Sequence, residues 1–220
     1  MSKTRFVFAI AVVALMVATP ATGQLPGFPV LALSAGDADG VTSVGVGYGR
    51  GLNDQSGKQN AIGVGVGRAM EKVSFAVFGS YLLGQGTADN EAAFAGAVGY
   101  HVINDEDASV GVSVQTGIGY VKFAESVLNF PVGVVISGST EAGSMMVTPW
   151  VMPRVQFTRF GGTNSRTETD FGASGGVTIA TEGGVALGLA LDWLLQPDIA
   201  VPADNASRIG FSAAITYRLP

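Results

Sequence analysis

The feature of this sequence that most constrains its fold is a two-residue alternation between large apolar and small side chains. Two segments show it clearly, SVGVGYGR at 43–50 and AIGVGVGR at 61–68. In both, valine, isoleucine or tyrosine recurs at every second position, with mostly glycine between. A helix repeats every 3.6 residues and cannot place these two sets on separate faces, whereas a β-strand does. Glycine at this density would also cost a helix roughly 1 kcal/mol per position. The pattern therefore predicts an all-β protein.

The same alternation predicts about ten strands. Their spans are 41–50, 60–68, 72–82, 91–102, 108–121, 130–137, 145–158, 169–180, 185–194 and 207–219. Most approach the roughly 9 to 11 residues that a tilted strand needs to cross a bilayer. Because residues 25–40 could supply another strand, and FPVGVVISG at 130–138 is short, eight or twelve strands also fit.

The connections between these strands alternate in length. Those after the first, third, fifth, seventh and ninth strands are long and polar: GLNDQSGKQ, LGQGTADN, VKFAESVLN, RFGGTNSRTE and LQPDIAVPADNA. Those after the second, fourth, sixth and eighth are mostly shorter: AMEK, INDED, SGSTEAG and TEGG. Long loops on one side and short turns on the other are typical of bacterial outer-membrane barrels.

The two faces of the strands point to the same architecture. One face carries the large apolar residues, and the other carries glycine, alanine and serine with few charges. Only 13% of all residues are charged, so the small-residue face would make a poor solvated exterior. A soluble barrel places its large apolar side chains inside. We therefore predict a closed antiparallel transmembrane β-barrel with its large apolar face towards lipid.

Aromatic residues on the predicted lipid face cluster near the strand ends. Those next to the long loops are Tyr48, Tyr81, Phe94, Tyr120, Phe157, Phe171, Trp193 and Phe211, and those near the opposite end are Tyr100 and Tyr217. Two belts of aromatic residues are expected where a barrel meets the membrane interfaces.

The N-terminal residues are typical of an export signal. Lys3 and Arg5 precede an apolar run at 6–18, and the small residues at 21–23 suggest cleavage before Gln24. The run is too short to span a bilayer as a helix. The expected organisation is a signal peptide at 1–23, an N-terminal tail, plug or extra strand at 24–40, and a barrel at 41–220, in the cell outer membrane.

The C-terminal segment RIGFSAAITYRLP alternates apolar residues from Ile209 to Leu219. It resembles the closing strand that marks bacterial outer-membrane proteins for barrel assembly, although Pro220 stands where such strands typically end in an aromatic residue. Over residues 40–220 the chain resembles the small single-domain outer-membrane β-barrel families of Gram-negative bacteria (OmpA- or opacity-like barrels). The resemblance implies a surrounding of membrane lipid and lipopolysaccharide, and the barrel-assembly machinery as a partner during insertion.

Prolines and charges inside the strands give two further expectations. Pro149 and Pro153 lie in one strand four residues apart, so both would withhold a hydrogen bond from the same neighbour and produce a bulge or a locally open seam. Four charged residues share the parity of the small-residue face and are expected to point into the lumen: Arg154, Asp170, Asp192 and Arg208. Because an unpaired charge in a narrow lumen is costly, we expect Asp192 and Arg208 to pair across the last hairpin.

Little in the sequence points to catalysis. There is no cysteine, which excludes disulfides and Cys/His zinc sites, and a net charge of −5 argues against nucleic-acid binding. His101, the one histidine, falls at the short-turn end of the fourth strand with no serine or aspartate motif around it. No metal site and no cofactor are expected.

The sequence therefore predicts a non-enzymatic, porin-like barrel with a structural role, or a role in the passage or binding of small solutes. Two alternatives remain at this point: an outer-membrane hydrolase with its site in the extracellular loops, and a soluble exported barrel that binds an apolar ligand.

Overall fold

A computed structural model describes residues 40–52, 59–83, 90–103, 110–123, 125–163, 165–195 and 207–219. The predicted signal peptide and nearly all of the predicted N-terminal segment lie outside these residues, as do parts of several loops. Within the described part of the chain, no helix is long and apolar enough to cross a membrane.

The described chain forms eleven β-segments in one antiparallel sheet. They are β1 Thr42–Gly51, β2 Asn60–Met70, β3 Val73–Leu83, β4 Glu91–Ile103, β5 Val110–Lys122, β6 Ser126–Gly138, β7 Thr140–Ala142, β8 Met145–Phe160, β9 Arg166–Thr181, β10 Val185–Leu195 and β11 Ser207–Leu219. The short β7 continues β6 after Ser139 and pairs with the same neighbour, β8. The sheet therefore contains ten spanning strands.

The sheet closes on itself. Each strand pairs with its neighbours along the chain, and β1 completes the circle by pairing with β11 from Thr42 opposite Leu219 to Gly51 opposite Gly210. The interruption between β6 and β7 leaves the circle intact, because β6 pairs directly with β8. The predicted fold class, a closed antiparallel barrel of about ten strands, is confirmed.

One predicted connection is wrong. The segment VKFAESVLN was expected to be a long loop, but β5 runs to Lys122 and β6 begins at Ser126, so only residues 123–125 connect them. The misleading residue is Asn129, whose polarity suggests a loop. In the structure Asn129 points into the lumen, where it is 1% exposed, while Leu128 and Phe130 on either side point outward.

The two faces of the barrel have the composition of a membrane protein. Large apolar side chains face outward and stay exposed, for example Val64 at 61% and Ile215 at 54%. Inward-facing residues such as Ala93 and Val121 are fully buried. A continuous apolar exterior is unfavourable in water and favourable in hydrocarbon, where a closed ladder satisfies the backbone. The protein is therefore a transmembrane β-barrel of the bacterial outer-membrane type rather than a soluble barrel.

The prolines interrupt the ladder where the sequence predicted an open seam. Between β6 and β8 one register runs throughout, but pairing is missing opposite Pro153, at residues 134–135, and opposite Pro149, at residues 138–139. The second gap separates β6 from β7. Because proline has no N–H, each removes a ladder hydrogen bond towards the same neighbour.

A third proline loosens the other edge of β6. Pairing between β5 and β6 is missing at Gly117, opposite Pro131, and at Ile118, opposite Phe130. The Thr116 hydroxyl donates to the Pro131 carbonyl at 2.9 Å, which gives that carbonyl a partner beside the gap. Strand β6 is thus held by interrupted ladders on both sides.

The first prediction tests which face meets lipid. Leu189→Arg places a charge midway along β10 on the exterior and should destabilise the barrel by about 2 to 4 kcal/mol. Its neighbour Gly188 faces the lumen, where an added Cβ would approach nothing closer than 3.9 Å. Gly188→Ser should therefore be far milder when unfolding free energies are compared in the same lipid. Equal effects, or the reverse order, would refute the assignment of the two faces.

The second prediction tests the seam. Pro153→Val restores an N–H directed at β6, and the Pro153 side chain is exposed on the outer face, so valine needs no interior space. The free energy of unfolding should rise by about 0.5 to 1.5 kcal/mol, the net value of one hydrogen bond. The new amide should also exchange slowly with deuterium. Unchanged stability with rapid exchange would show that the seam does not depend on the proline, and Val151→Ile on the same face is the matched control.

Candidate functional site

The candidate site is the lumen, and different connections lie at its two ends. The long-loop end carries the connections 52–59, 84–90, 123–125, 161–165 and 196–206, and the short-turn end carries 71–72, 104–109, 143–144 and 182–184. Many inward residues are polar and buried. They include Ser74, Ser80, His101, Ser113, Gln115, Asn129, Ser137, Thr148, Arg154, Gln156, Thr158, Asp170, Ser174, Asp192 and Ser212.

An ion pair between Arg154 and Asp192 lies inside the lumen, in the half of β8 and β10 nearer the long loops. Arg154 Nη2 donates to Asp192 Oδ2 at 2.7 Å, and Nη1 donates to Oδ1 of the same carboxylate. Ser174 accepts from Arg154 and donates to Asp192. Both charged side chains have 0% exposure. A buried charge pair requires such a bidentate ion pair, in which a hydroxyl group provides a further hydrogen bond.

Strand β9 explains how the pair forms between strands that are not neighbours. Arg154 on β8 lies opposite Gly172 on β9, and Asp192 on β10 lies opposite Ser174 on β9. Gly172 presents no side chain towards the lumen, so the Arg154 side chain can cross β9. A Cβ at Gly172 would lie 2.1 Å from the Trp193 carbonyl oxygen, so this position requires glycine.

The predicted pairing of Asp192 with Arg208 is wrong. In the last hairpin Arg208 lies opposite Leu194, whereas Asp192 lies opposite Gly210. Arg208 instead interacts electrostatically with Asp170 and Glu168 on β9. All four predicted lumen charges do point inward, and Arg154, Asp170 and Asp192 are buried. The sequence feature that indicates pairing across β9 is its small inward residues, Gly172 and Ser174, because they leave room for a long side chain to cross the strand.

A second polar network lies closer to the long loops and involves uncharged residues that the sequence analysis did not single out. Gln156 Nε2 donates to Asn129 Oδ1 at 3.0 Å, and the Thr158 hydroxyl donates to the same oxygen at 2.9 Å. These residues connect β6 to β8 above the proline-interrupted part of the seam. The sequence feature that identifies them is a polar side chain at the alternate positions that point into the lumen.

Two clusters of buried apolar residues lie in the lumen. The cluster nearer the long loops consists of Ala61, Leu82, Ala93, Val121 and Val127, with Phe78, Ala95, Phe123 and Phe160 packed against it. The cluster nearer the short turns consists of Val135, Trp150, Met152 and Ala190. Trp150 lies over Gly176, where a Cβ would be 2.9 Å from the indole Cζ2.

The buried inward residues nearest the long loops form one layer around the barrel, here called the closed layer. Every spanning strand contributes a buried inward residue there: Gly49, Ala61, Leu82, Ala93, Val121, Asn129, Thr158, Asp170, Leu194 and Gly210. Burial extends towards the short turns, where Ser74, Ser113 and Ala186 are also buried. Thr178, Ala180 and Thr216 point inward in the same half and are partly exposed.

His101 lies at the short-turn end, where the sequence placed it, and is 6% exposed. The register brings Ser113 directly opposite it on β5, a neighbour that sequence spacing did not indicate. The imidazole Nδ1 has no hydrogen-bond partner among the described residues. A catalytic histidine is usually oriented by a group bonded to its second nitrogen, and this nitrogen lacks such a group.

The predicted aromatic belts lie on the outer face. Tyr48, Tyr81, Phe94, Tyr120, Phe157 and Phe171 are exposed near the long-loop end, Trp193 and Phe211 are half-buried there, and Tyr100 and Tyr217 are exposed near the short-turn end. Tyr48 donates from its hydroxyl to Asn60 Oδ1 at 2.5 Å, which satisfies the polar end of the ring at the interface.

No protein-family model matches the chain, and no curated protein matches it in sequence. Among solved structures it is similar to a bacterial polysaccharide outer-membrane secretin, with 10% identity and a TM-score of 0.46, over 82% of this chain and 66% of that one. It is also similar to the outer-membrane protein Ail of Yersinia pestis, with 12% identity and a TM-score of 0.43, over 82% of this chain and 100% of that one. The protease OmpT of Escherichia coli has 8% identity and a TM-score of 0.40, over 82% and 94%. Likeness at this level says nothing about activity.

The third prediction tests the ion pair with a double-mutant cycle. Arg154→Gln and Asp192→Asn should each destabilise the barrel by about 3 to 5 kcal/mol, because each leaves a buried charge without its partner. The double variant should lose much less than the sum of the two, with a coupling energy of about 0.5 to 3 kcal/mol. The control cycle of Asp192→Asn with Arg208→Gln should be additive within about 0.5 kcal/mol. A larger coupling in the control cycle would restore the pairing predicted from sequence.

Proposed function

We propose that the protein is a structural, non-enzymatic component of the outer membrane whose lumen does not pass solutes in its resting state. The observation that carries this proposal is the complete burial of the Arg154 and Asp192 side chains inside the lumen. A water-filled passage would hydrate these groups. Instead they are paired, and a layer of buried residues contributed by every spanning strand lies between them and the long loops.

The width of the barrel supports the same proposal. An eight-stranded barrel is just filled by its side chains, and sixteen to eighteen strands leave an aqueous channel. Ten strands lie near the filled end of this range. The additional width is occupied by Phe78, Trp150 and Met152 together with the polar networks.

A non-catalytic role is favoured by the position of the one histidine. His101 is buried at the short-turn end and its Nδ1 carries no orienting carboxylate. The alternative of a hydrolase with its site in the loops would use acid–base groups at the other end of the barrel, where the described carboxylates Glu168 and Asp170 lie beside Arg208. In the part of the chain that the structure describes, no group of three or more potential metal ligands is present at either end.

The fourth prediction concerns conductance. The mature barrel, reconstituted in planar lipid bilayers, should show no steady single-channel steps at neutral pH. The double variant Leu82→Ala, Leu194→Ala shortens two buried side chains of the closed layer, so it should open that layer and produce small steps.

The matched control is Leu187→Ala with Leu189→Ala, which shortens two side chains on the outer face of β10 and should remain closed. Steady conductance of the unaltered protein would contradict the proposal and favour solute passage. Hydrolysis of lipid or peptide substrates by the purified barrel would contradict the non-enzymatic part.

A further inference from the structure

Charges at the long-loop end of the barrel separate by sign between its two faces. In the described strands the acidic side chains at this end, Glu91, Glu168 and Asp170, lie at inward positions. The outward-facing charged residues at the same end, Arg50, Lys122 and Arg159, are all basic and exposed. Among the described strand residues, the exterior at this height therefore carries only positive charge.

Two of these basic residues flank a single strand. Lys122 is the last residue of β5, and Arg159 on β8 lies opposite Leu128 on β6. Leu128 in turn lies opposite Tyr120, two residues before Lys122. From strand spacing and rise, the Cα atoms of Lys122 and Arg159 are roughly 12 Å apart. Both side chains are long enough to converge on one group held over β6.

The surface immediately below this pair of cations is aromatic. Tyr120, Phe130 and Phe157 are on the outer faces of β5, β6 and β8 and are 40%, 36% and 41% exposed. Phe130 lies directly opposite Phe157. Going from the loops towards the membrane centre, this patch thus changes from basic to aromatic and then to the aliphatic surface of Val132 and Val155.

Neither basic residue is engaged by an acid among the described residues. The ion pairs at this rim involve Arg166 with Glu125 and Glu168, and Arg166 also lies 4.0 Å from the centroid of Phe160. Arg166 is thereby held by its own partners, whereas Lys122 and Arg159 remain exposed to an external anion.

We propose that the outer face of β5, β6 and β8 is a binding site for a phosphorylated glycolipid of the outer leaflet, with the chemistry of lipopolysaccharide. Its phosphate lies between Lys122 and Arg159, since guanidinium and ammonium groups both bind phosphate strongly. Its acyl chains lie along the aromatic and aliphatic residues below. The long-loop end of such barrels faces the cell exterior, which places the patch in the leaflet that contains this lipid. The site does not require the lumen to be closed.

Arg50 serves as the internal comparison. It has the same sign, the same outward direction and a similar height, but it lies on β1, whose strand neighbours are β2 and β11. No second cation faces outward at the long-loop end of either neighbour in the described residues. A single cation should attract anionic lipid diffusely, whereas the pair across β6 should hold one molecule.

The experiment measures how much purified lipopolysaccharide the folded full-length barrel retains in nanodiscs of phosphatidylcholine, by native mass spectrometry. The unaltered protein should retain one lipopolysaccharide molecule in preference to phosphatidylcholine. Lys122→Gln and Arg159→Gln should each weaken retention about fivefold, and the double variant about twentyfold or more. Arg50→Gln, and Arg68→Gln at the short-turn end, should change it less than twofold. Heat-modifiable migration in gel electrophoresis verifies that each variant is folded.

Three further arms identify the source of the phosphate. The unaltered barrel should retain lipopolysaccharide stripped of its phosphates as weakly as the double variant retains intact lipopolysaccharide. Inorganic phosphate should not compete, and phosphatidylglycerol should bind more weakly than the glycolipid. An equal loss on Arg50→Gln would overturn the proposal in favour of a diffuse basic ring. Competition by inorganic phosphate would indicate a simple anion site instead. Because these readouts do not involve conductance, failure here is distinguishable from failure of the closed-lumen proposal.

Discussion

The structure depends on one constraint, the need to pair every backbone N–H and C=O group where no water is present. In hydrocarbon an unpaired group costs several kcal/mol, so a sheet that crosses the bilayer must close. The pairing of β1 with β11 along ten residues of β1 meets this requirement. The alternation of large and small side chains follows from closure, because each strand then has one face towards lipid and one towards a narrow interior.

The same constraint gives the prolines of β6 and β8 their significance. Pro131, Pro149 and Pro153 each remove a donor from a ladder that has no water to replace it, and all three interruptions involve the strand formed by β6 and β7. Side chains offset part of the loss. Thr116 bonds the Pro131 carbonyl, and the hydroxyls of Ser139 and Thr148 lie 2.9 Å apart beside the gap at Pro149. The network of Asn129, Gln156 and Thr158 then connects the two strands above the seam.

The sequence was sufficient for most of the fold because the relevant physics is local. A period of two, turn residues and the missing N–H of proline can each be recognised within a few residues, and they predicted the strands, their faces and the open seam. The β5–β6 connection was mispredicted for a physical reason: Asn129 is polar because it serves the lumen, and a polar residue in a short window also indicates a loop. Local pattern cannot separate these two roles.

The pairing of the lumen charges could not be predicted from local sequence, because it depends on contacts between residues far apart in the chain. A hairpin suggested that Asp192 would meet Arg208, since both lie on adjacent strands. The choice was decided by β9, where Gly172 leaves room for Arg154 to cross and Ser174 completes the pairing. Arg208 lies higher, beside the acidic residues of β9.

The positions of these lumen charges also account for the sign of the charge on the outer face at the long-loop end. The acidic residues of the long-loop end face inward, where Arg154 and Arg208 interact with several of them, so their negative charge is largely neutralised within the wall. The outward-facing bases of the same strands have no such partners among the described residues. The uncompensated charge of these described strands therefore lies on the outer face, at the height where the membrane itself carries phosphate, and the proposed lipid site uses this charge.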